Sequence, residues 1–186
     1  MAIVLARVDN RLIHGQVLEA WMPFLDINNV IIVDNGVAGD PLRQKIMEIA
    51  IPGRINCRFL NVDELKETID RLDGGDQRTM VLFSNIKDVR DVLRMGMALD
   101  RINIGNIHYQ KGKTRISSCV SLDEDELACL MEIQRRAKVE IQALPDDTPA
   151  RFPECIEKGN GHRPGQMEKG KRWKNWLLDR LHLKQN

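Results

Sequence analysis

A chain of 186 residues with 28 Lys plus Arg, 27 Asp plus Glu and a formal net charge of +1 has no overall electrostatic pull toward nucleic acid or an anionic membrane. Its length favours one domain with enough interior for a proper core. The four cysteines form no C-x-x-C pair and no Cys/His cluster with zinc spacing, so neither a zinc site nor another metal centre is expected. Cys57 and Cys129 fall within apolar patterns and read as buried small hydrophobes, which suits a reducing cytosol. The opening residues lack a basic stretch and a long apolar core, so no secretory signal is expected. No apolar run is long enough to span a bilayer.

In chain order, the apolar run AIVLA (2–6) reads as a buried strand, and GQVLEAWM (15–22) has the spacing of a helix. Between them lies RVDNRLIHGQV (7–17). NVIIVD (29–34) reads as a second buried strand. Asp40 as cap and Pro41 in the first turn predict a helix that stops near Ala50, before Pro52 and Gly53. Residues 54–60 alternate, with Ile55, Cys57 and Phe59 on one side, as a third strand. Asn61 with Glu64 three positions on is a capping-box pattern, opening a helix to about Leu72. Residues 79–83 predict a fourth strand, 86–95 a fourth helix and 101–105 a fifth strand. Residues 113–117 predict a short strand paired back across the turn at 109–112. Ser121 with Glu124 predicts a second capping box before a helix to about Ala137, and 140–143 a last strand. Strands alternating with helices imply an α/β fold: an open, mostly parallel twisted sheet with helices on both faces and one short hairpin late in the domain. Neither a G-x-G-x-x-G nor a P-loop string follows the first strand, which argues against dinucleotide and P-loop nucleotide binding.

The domain is expected to cover 1–147, with 148–186 as a linker and basic extension. From Arg151 to the end, basic residues outnumber acidic ones. Residues 152–170 are rich in Gly, Pro and charge. Residues 172–183 (RWKNWLLDRLHL) set Trp173, Trp176, Leu177 and Leu181 roughly on one face, an amphipathic C-terminal helix. It would dock on its own domain or a twin subunit, or else meet a membrane surface or membrane-embedded partner.

The chemistry concentrates at 7–17. His14 would stand at the C-terminal end of the first strand and the mouth of the first helix, the edge where open α/β sheets bind ligands. A helix start offers free N–H groups to an anion. Arg7 and Arg11 are candidate phosphate clamps, since a guanidinium forks onto phosphate oxygens; Arg7 would otherwise be a strand-end residue in an ion pair. Asp9 would accept the proton of one His14 ring nitrogen, orient Arg11, or merely cap the loop. Gly15 would let backbone approach a phosphoryl group, or simply turn the chain, and Gln16 would donate to a phosphate oxygen. Ser84 and Asn85, after the fourth strand on the same edge, would add donors or cap a helix. Asp34 would position the His14 loop or cap a turn. Lys111 and Lys113 would face an acidic partner or a substrate phosphate, or else form a solvated hairpin tip, the commoner reading. His108 is the rival histidine, in a Gly-rich turn without flanking arginines. A lone loop histidine is commonly a surface residue, and the strand–loop–helix context is what lifts His14 above that reading.

The string RVDNRLIHGQV closely resembles the signature of the enzyme IIB subunits of the mannose/fructose/sorbose family of the bacterial sugar phosphotransferase system. VLFSNIKDV (81–89) resembles that family's fourth strand and the start of the helix after it. NIGNIHYQKGKTRISSCVSLDEDE (103–126) resembles its Gly-rich turn, hairpin and last main helix. The resemblance implies a cytoplasmic phosphocarrier, peripheral to the inner membrane through its partners. A phosphorylated IIA protein would phosphorylate His14, the family's phosphorylated position. His14 would pass the group to a hexose-type sugar entering through membrane IIC/IID subunits. It further implies no metal, nucleotide or organic cofactor, no nucleic-acid partner, and a homodimer as the form some members take. Two other classes stay open at this point. One is a regulatory module whose phosphorylation state at His14 is read by a protein partner. The other is a small-molecule enzyme using His14 as acid or base, which would want a deep pocket.

Overall fold

The computed structural model describes residues 2–71 and 76–152. Five apolar runs become the body of a parallel sheet: β1 (Ala2–Asp9), β2 (Asn29–Val33), β4 (Arg78–Phe83), β5 (Arg101–Asn106) and β8 (Lys138–Ile141), with β3 (Asn56–Leu60) at one edge. The order is β3-β2-β4-β1-β5-β8, and β9 (Ala150–Arg151) adds antiparallel to β8 as the seventh strand. All other pairings in this sheet are parallel. Side chains alternate across the strands, so each central strand feeds two cores. Ala6, Val8, Ile31, Val33, Val81 and Phe83 share one; Leu5, Val30, Ile32, Met80 and Leu82 share the other. That two-sided burial is why these strands read as continuous apolar runs.

The helices divide between the faces. The first core holds Val62 and Leu65 of α4 (Val62–Arg71), Val89 and Val92 of α5 (Ile86–Arg94), and Leu127 and Leu130 of α6 (Glu124–Ile133). The second holds Val17 and Trp21 of a π-helical segment, π1 (Gln16–Trp21), Met22 of the short α1 (Met22–Phe24) that continues it, and Val37 of α2 (Asn35–Ala38). The helix α3 (Pro41–Ala50) follows α2 and buries none of its side chains. The caps are those the sequence predicts at two places. Asp40 accepts from the Arg43 N–H, and Asn61 and Glu64 close a reciprocal box.

The chain departs from the sequence expectation at several places, among them the unexpected α2 and a last strand that runs Lys138–Ile141 where 140–143 is expected. The first helix is there, but its turns are wide: the Met22 N–H reaches back to the Val17 carbonyl. The short strand β6 (Thr114–Arg115) pairs forward with β7 (Ser121–Leu122), not back across 109–112. Ser121 lies in that strand, with its N–H on the Ile107 carbonyl, so the capping box moves on to Asp123 and Glu126. The chain is also still in the sheet at β9, inside the stretch from 148 expected to be linker, and Phe152 is buried in the first core. The linker beyond Phe152 and the amphipathic stretch 172–183 lie outside the described residues.

This topology defines where a site can form. β1 and β4 are neighbours. Yet β1 leads into π1 on one face, and β4 leads into α5 on the other. Their C-terminal ends therefore flank a crevice at a topological switch point.

Candidate functional site

The C-terminal end of β1 carries Arg7, Val8 and Asp9. Alternation sends Val8 into the first core and turns Arg7 and Asp9 to the other face. Both are fully buried, with 0% exposure. Arg7 Nη1 donates to Asn103 Oδ1 and, at 3.0 Å, to the Gln142 carbonyl. Its Nη2 donates to Asp9 Oδ2 at 3.0 Å and to the Ala143 carbonyl at 3.2 Å. The Trp21 ring covers the guanidinium, 5.1 Å from its carbon to the ring centroid. Burial pushes the Arg7 guanidinium down from its ordinary range, and the Asp9 carboxylate opposes that shift.

Asp9 lies between two arginines. Its Oδ1 accepts from the Arg11 backbone N–H at 3.2 Å and from Arg11 Nε at 3.4 Å. Its own carbonyl accepts from the Leu12 N–H at 2.9 Å, which closes the loop. Leu12 takes a φ of 53°, the left-handed region that branched residues seldom enter. That turn aims the Leu12 carbonyl at His14 Nδ1, 2.8 Å away. Nε2, on the other side of the ring, lies 3.4 Å from Gln16 Oε1 and 3.6 Å from Asp9 Oδ2. Arg11 Nη2 donates to the same Gln16 oxygen. The loop then enters π1, where the Val17 and Leu18 N–H groups both reach the His14 carbonyl at 3.0 Å. The His14 side chain is 15% exposed and that of Arg11 34%.

The structure thus brings Asp9, Arg11, His14 and Gln16 together and ties Arg7 in behind Asp9. Arg7 turns inward, so the ion-pair alternative describes it and a direct clamp does not. Gly15 is helical in φ and ψ, and a side chain there would meet nothing within 4 Å, so the space beside His14 is open. Asn85 caps α5 through the Asp88 N–H, and its Nδ2 donates to Ser84 Oγ and Asp88 Oδ2. Both residues therefore belong to a capping cluster beside the crevice, and Asp34 likewise caps α2. Lys113, expected in a solvated tip, is mostly buried against Glu126 at 2.6 Å. His108 hangs on Asn10: Asn10 Oδ1 accepts from the His108 and Asn106 groups at 3.1 Å, which braces the loop from β5. Among the described residues no group of His, Cys, Asp or Glu is arranged to hold a metal ion.

Sequence reasoning missed Trp21, Asn103, Gln142 and Asn10. A signal existed for two of them. Asn103 is a polar residue inside an apolar strand pattern, and Trp21 lies on the buried face of the first helix, two turns from His14.

Fold and site together define an open α/β domain that offers one histidine at the C-terminal edge of its sheet, held among carboxylate, guanidinium and amide groups. The family described as PTS system sorbose subfamily IIB component matches residues 3–166. The chain is 33% identical over 148 residues to the sorbose-specific EIIB component of Lacticaseibacillus casei, covering 79% of this chain and 90% of that protein. It is 34% identical over 147 residues to the N-acetylgalactosamine-specific enzyme IIB component 2 of Escherichia coli K12, covering 78% and 92%. It spans 49% of the E. coli K12 mannose-specific EIIAB component, at 28% identity over 159 residues. Among solved structures, the IIBSor domain of the Klebsiella pneumoniae sorbose permease superposes with a TM-score of 0.79 at 26% identity, covering 86% of this chain and 98% of that one. The chain belongs to the sorbose-subfamily IIB components of the PTS, the sugar phosphotransferase system. Its general role is phosphotransfer in that system. No helix among the described residues is long and apolar enough to cross a membrane.

Proposed function

We propose that His14 is the residue that carries the phosphoryl group. A phosphorylated IIA protein docks on the sheet edge, and a ring nitrogen of His14 attacks phosphorus. The new N–P bond forms as the donor's own bond to phosphorus breaks, and the donor leaves with that electron pair. A hydroxyl of a hexose-type sugar, presented by membrane IIC/IID subunits, then attacks phosphorus. The His14 N–P bond breaks and the hydroxyl proton passes to a base. No metal or organic cofactor enters this sequence. The protein acts at the cytoplasmic face of the membrane through its partners.

The observation that carries this reading is the setting of His14. Phosphoryl transfer passes through a loose, highly charged transition state, so positioning and electrostatics dominate it. Both ring nitrogens face oxygens: Leu12 on one side, Gln16 and Asp9 on the other. A neutral ring donates on one side only, and the other nitrogen brings its lone pair to phosphorus as the ring turns. Asp9 Oδ2 is placed to stabilise the ring as positive charge develops there, and Arg11 is the partly exposed cation of the site. The relatives' names cover sorbose, mannose and N-acetylgalactosamine, which supports a sugar of that general kind.

The test is phosphoryl transfer from a phosphorylated general carrier and IIA protein, followed by intact mass and acid lability. Wild type is expected to gain one acid-labile phosphate and His14→Ala none. A folded wild type that gains no phosphate from a competent donor would sink the carrier reading.

A further inference from the structure

The geometry points to Trp21 and Gly105 as the two walls of a slot that holds Arg7, and through Arg7 fixes Asp9 against His14. This rests on the phosphocarrier reading of His14 and assigns positioning roles to residues that never touch the phosphoryl group.

Three observations converge on the slot. First, Gly105 is where β5 passes under the Arg7 side chain. A methyl group at Gly105 would overlap the guanidinium carbon and both of its terminal nitrogens. Glycine inside a strand is a cost unless something approaches closely, and here that something is Arg7. Second, Trp21 caps the slot with its ring over the guanidinium, a cation–π arrangement between two buried side chains. Its indole N–H donates to the Ala143 carbonyl at 2.9 Å. Arg7 Nη2 donates to that same carbonyl, so one acceptor ties the ring and the cation together. Third, Arg7 Nε is buried and has no hydrogen-bond partner among the described residues. A buried donor left unpaired is a standing cost, retained only where the group is held for another reason. The remaining Arg7 donors reach Asn103 in β5, the Gln142 and Ala143 carbonyls just after β8, and Asp9.

The consequence is mechanical. Asp9 Oδ2 is shared between Arg7 and the space facing His14 Nε2. If Arg7 shifts, that oxygen follows its cation and leaves the ring. The residues after β8 thereby act on a loop that begins at β1, a coupling that no local stretch of sequence encodes.

A double-mutant cycle tests the slot, with transfer rates measured from a phosphorylated IIA protein. Gly105→Ala is expected to lower the kcat of transfer to His14 by about tenfold or more, as ångström-scale misplacement does, with KM for the donor protein unchanged. In an Asp9→Asn background the same change is expected to cost less than about twofold further, because the slot acts through Asp9. The His14 ring 15N shifts should also move in Gly105→Ala. Trp21→Phe keeps a ring over Arg7 but loses the N–H to Ala143, and gives the same pattern if Gly105→Ala does not fold. A rate within about twofold of wild type, a loss equally large beside Asp9→Asn, or unmoved ring shifts would each overturn the slot. A wild type that takes no phosphate sinks the His14 reading instead, and the ring shifts then decide the slot alone.

Discussion

Arg7 and Arg11 flank one carboxylate and do different work. Arg7 is sealed inside, with all its bonded donors on protein oxygens, while Arg11 keeps its side chain 34% exposed beside the His14 ring. A cation that stabilises developing charge on a phosphoryl group must reach it, so under the proposed function that task falls to Arg11, not Arg7. Arg11→Ala is expected to slow transfer to His14 about a hundredfold, the usual scale for losing one donor aimed at transition-state charge. Its melting temperature should stay close to that of wild type, because a partly exposed ion pair contributes roughly 1 kcal/mol or less. Transfer slowed by less than about threefold would remove Arg11 from the reaction. At this scale the sequence shows which residues gather and not which way they face. Strand alternation alone puts Arg7 and Asp9 on one side, but nothing local says that side is closed. Its closure comes from Asn103, 96 residues away, and from carbonyls 135 and 136 residues away. The Leu12 turn is similarly silent, since leucine carries no signal for a left-handed backbone.

Elements were legible wherever a local rule decides them. The buried strands announce themselves as apolar runs, and Asp40, Asn61 and Glu64 cap as their types suggest. Where two local rules compete, tertiary pairing decides: Ser121 has the capping type but is taken by β7, and Asp123 caps α6 in its place. The start of α5 shows how a cap can carry a conflict. Asn85 caps the helix, and Asp88 in its first turn is nearly buried. Burial holds the Asp88 carboxyl above its ordinary range, Asp34 adds to the shift, and the Asn85 amide opposes it. The folded chain therefore binds that proton more tightly than the unfolded chain does. Stability from this group is fullest in acid and falls as pH rises through the carboxylate range. Asp88→Asn keeps an acceptor for Asn85 and removes the charge. Its melting temperature relative to wild type is expected to climb as pH is raised from about 3 to about 7, where an ordinary carboxylate has fully ionised. A difference independent of pH would mean that Asp88 ionises in the folded protein as freely as in the unfolded chain.

For the whole molecule, the order of strands does what no segment does alone: it puts the His14 loop and the start of α5 beside one another with their helices on opposite faces. Alternating strands and helices with right-handed crossovers anticipate the parallel sheet and its two helical faces, but the order itself is set by tertiary pairing. The last strand could not. Ala150 and Arg151 carry no strand pattern, and a Gly- and Pro-rich stretch begins just after them. What holds them is long-range: β9 pairs with Glu140 and Ile141 of β8, the Phe152 N–H bonds the Val139 carbonyl at 3.0 Å, and the Phe152 ring enters the first core with 4% exposure. β9 covers what would otherwise be an open edge of β8, the strand whose exit supplies the Gln142 and Ala143 carbonyls to Arg7. Phe152→Ala should therefore act as a core truncation, not as a change in a linker. The expected cost is about 3 kcal/mol, the lower part of the range for removing a buried phenyl ring. Chemical denaturation at fixed pH would read it as a lower midpoint with little change in slope. Because the β8 exit braces Arg7, transfer to His14 should fall as well, under conditions where the variant remains folded. A loss of stability below about 0.5 kcal/mol, typical of a surface substitution, would place Phe152 outside the core and end the domain before β9.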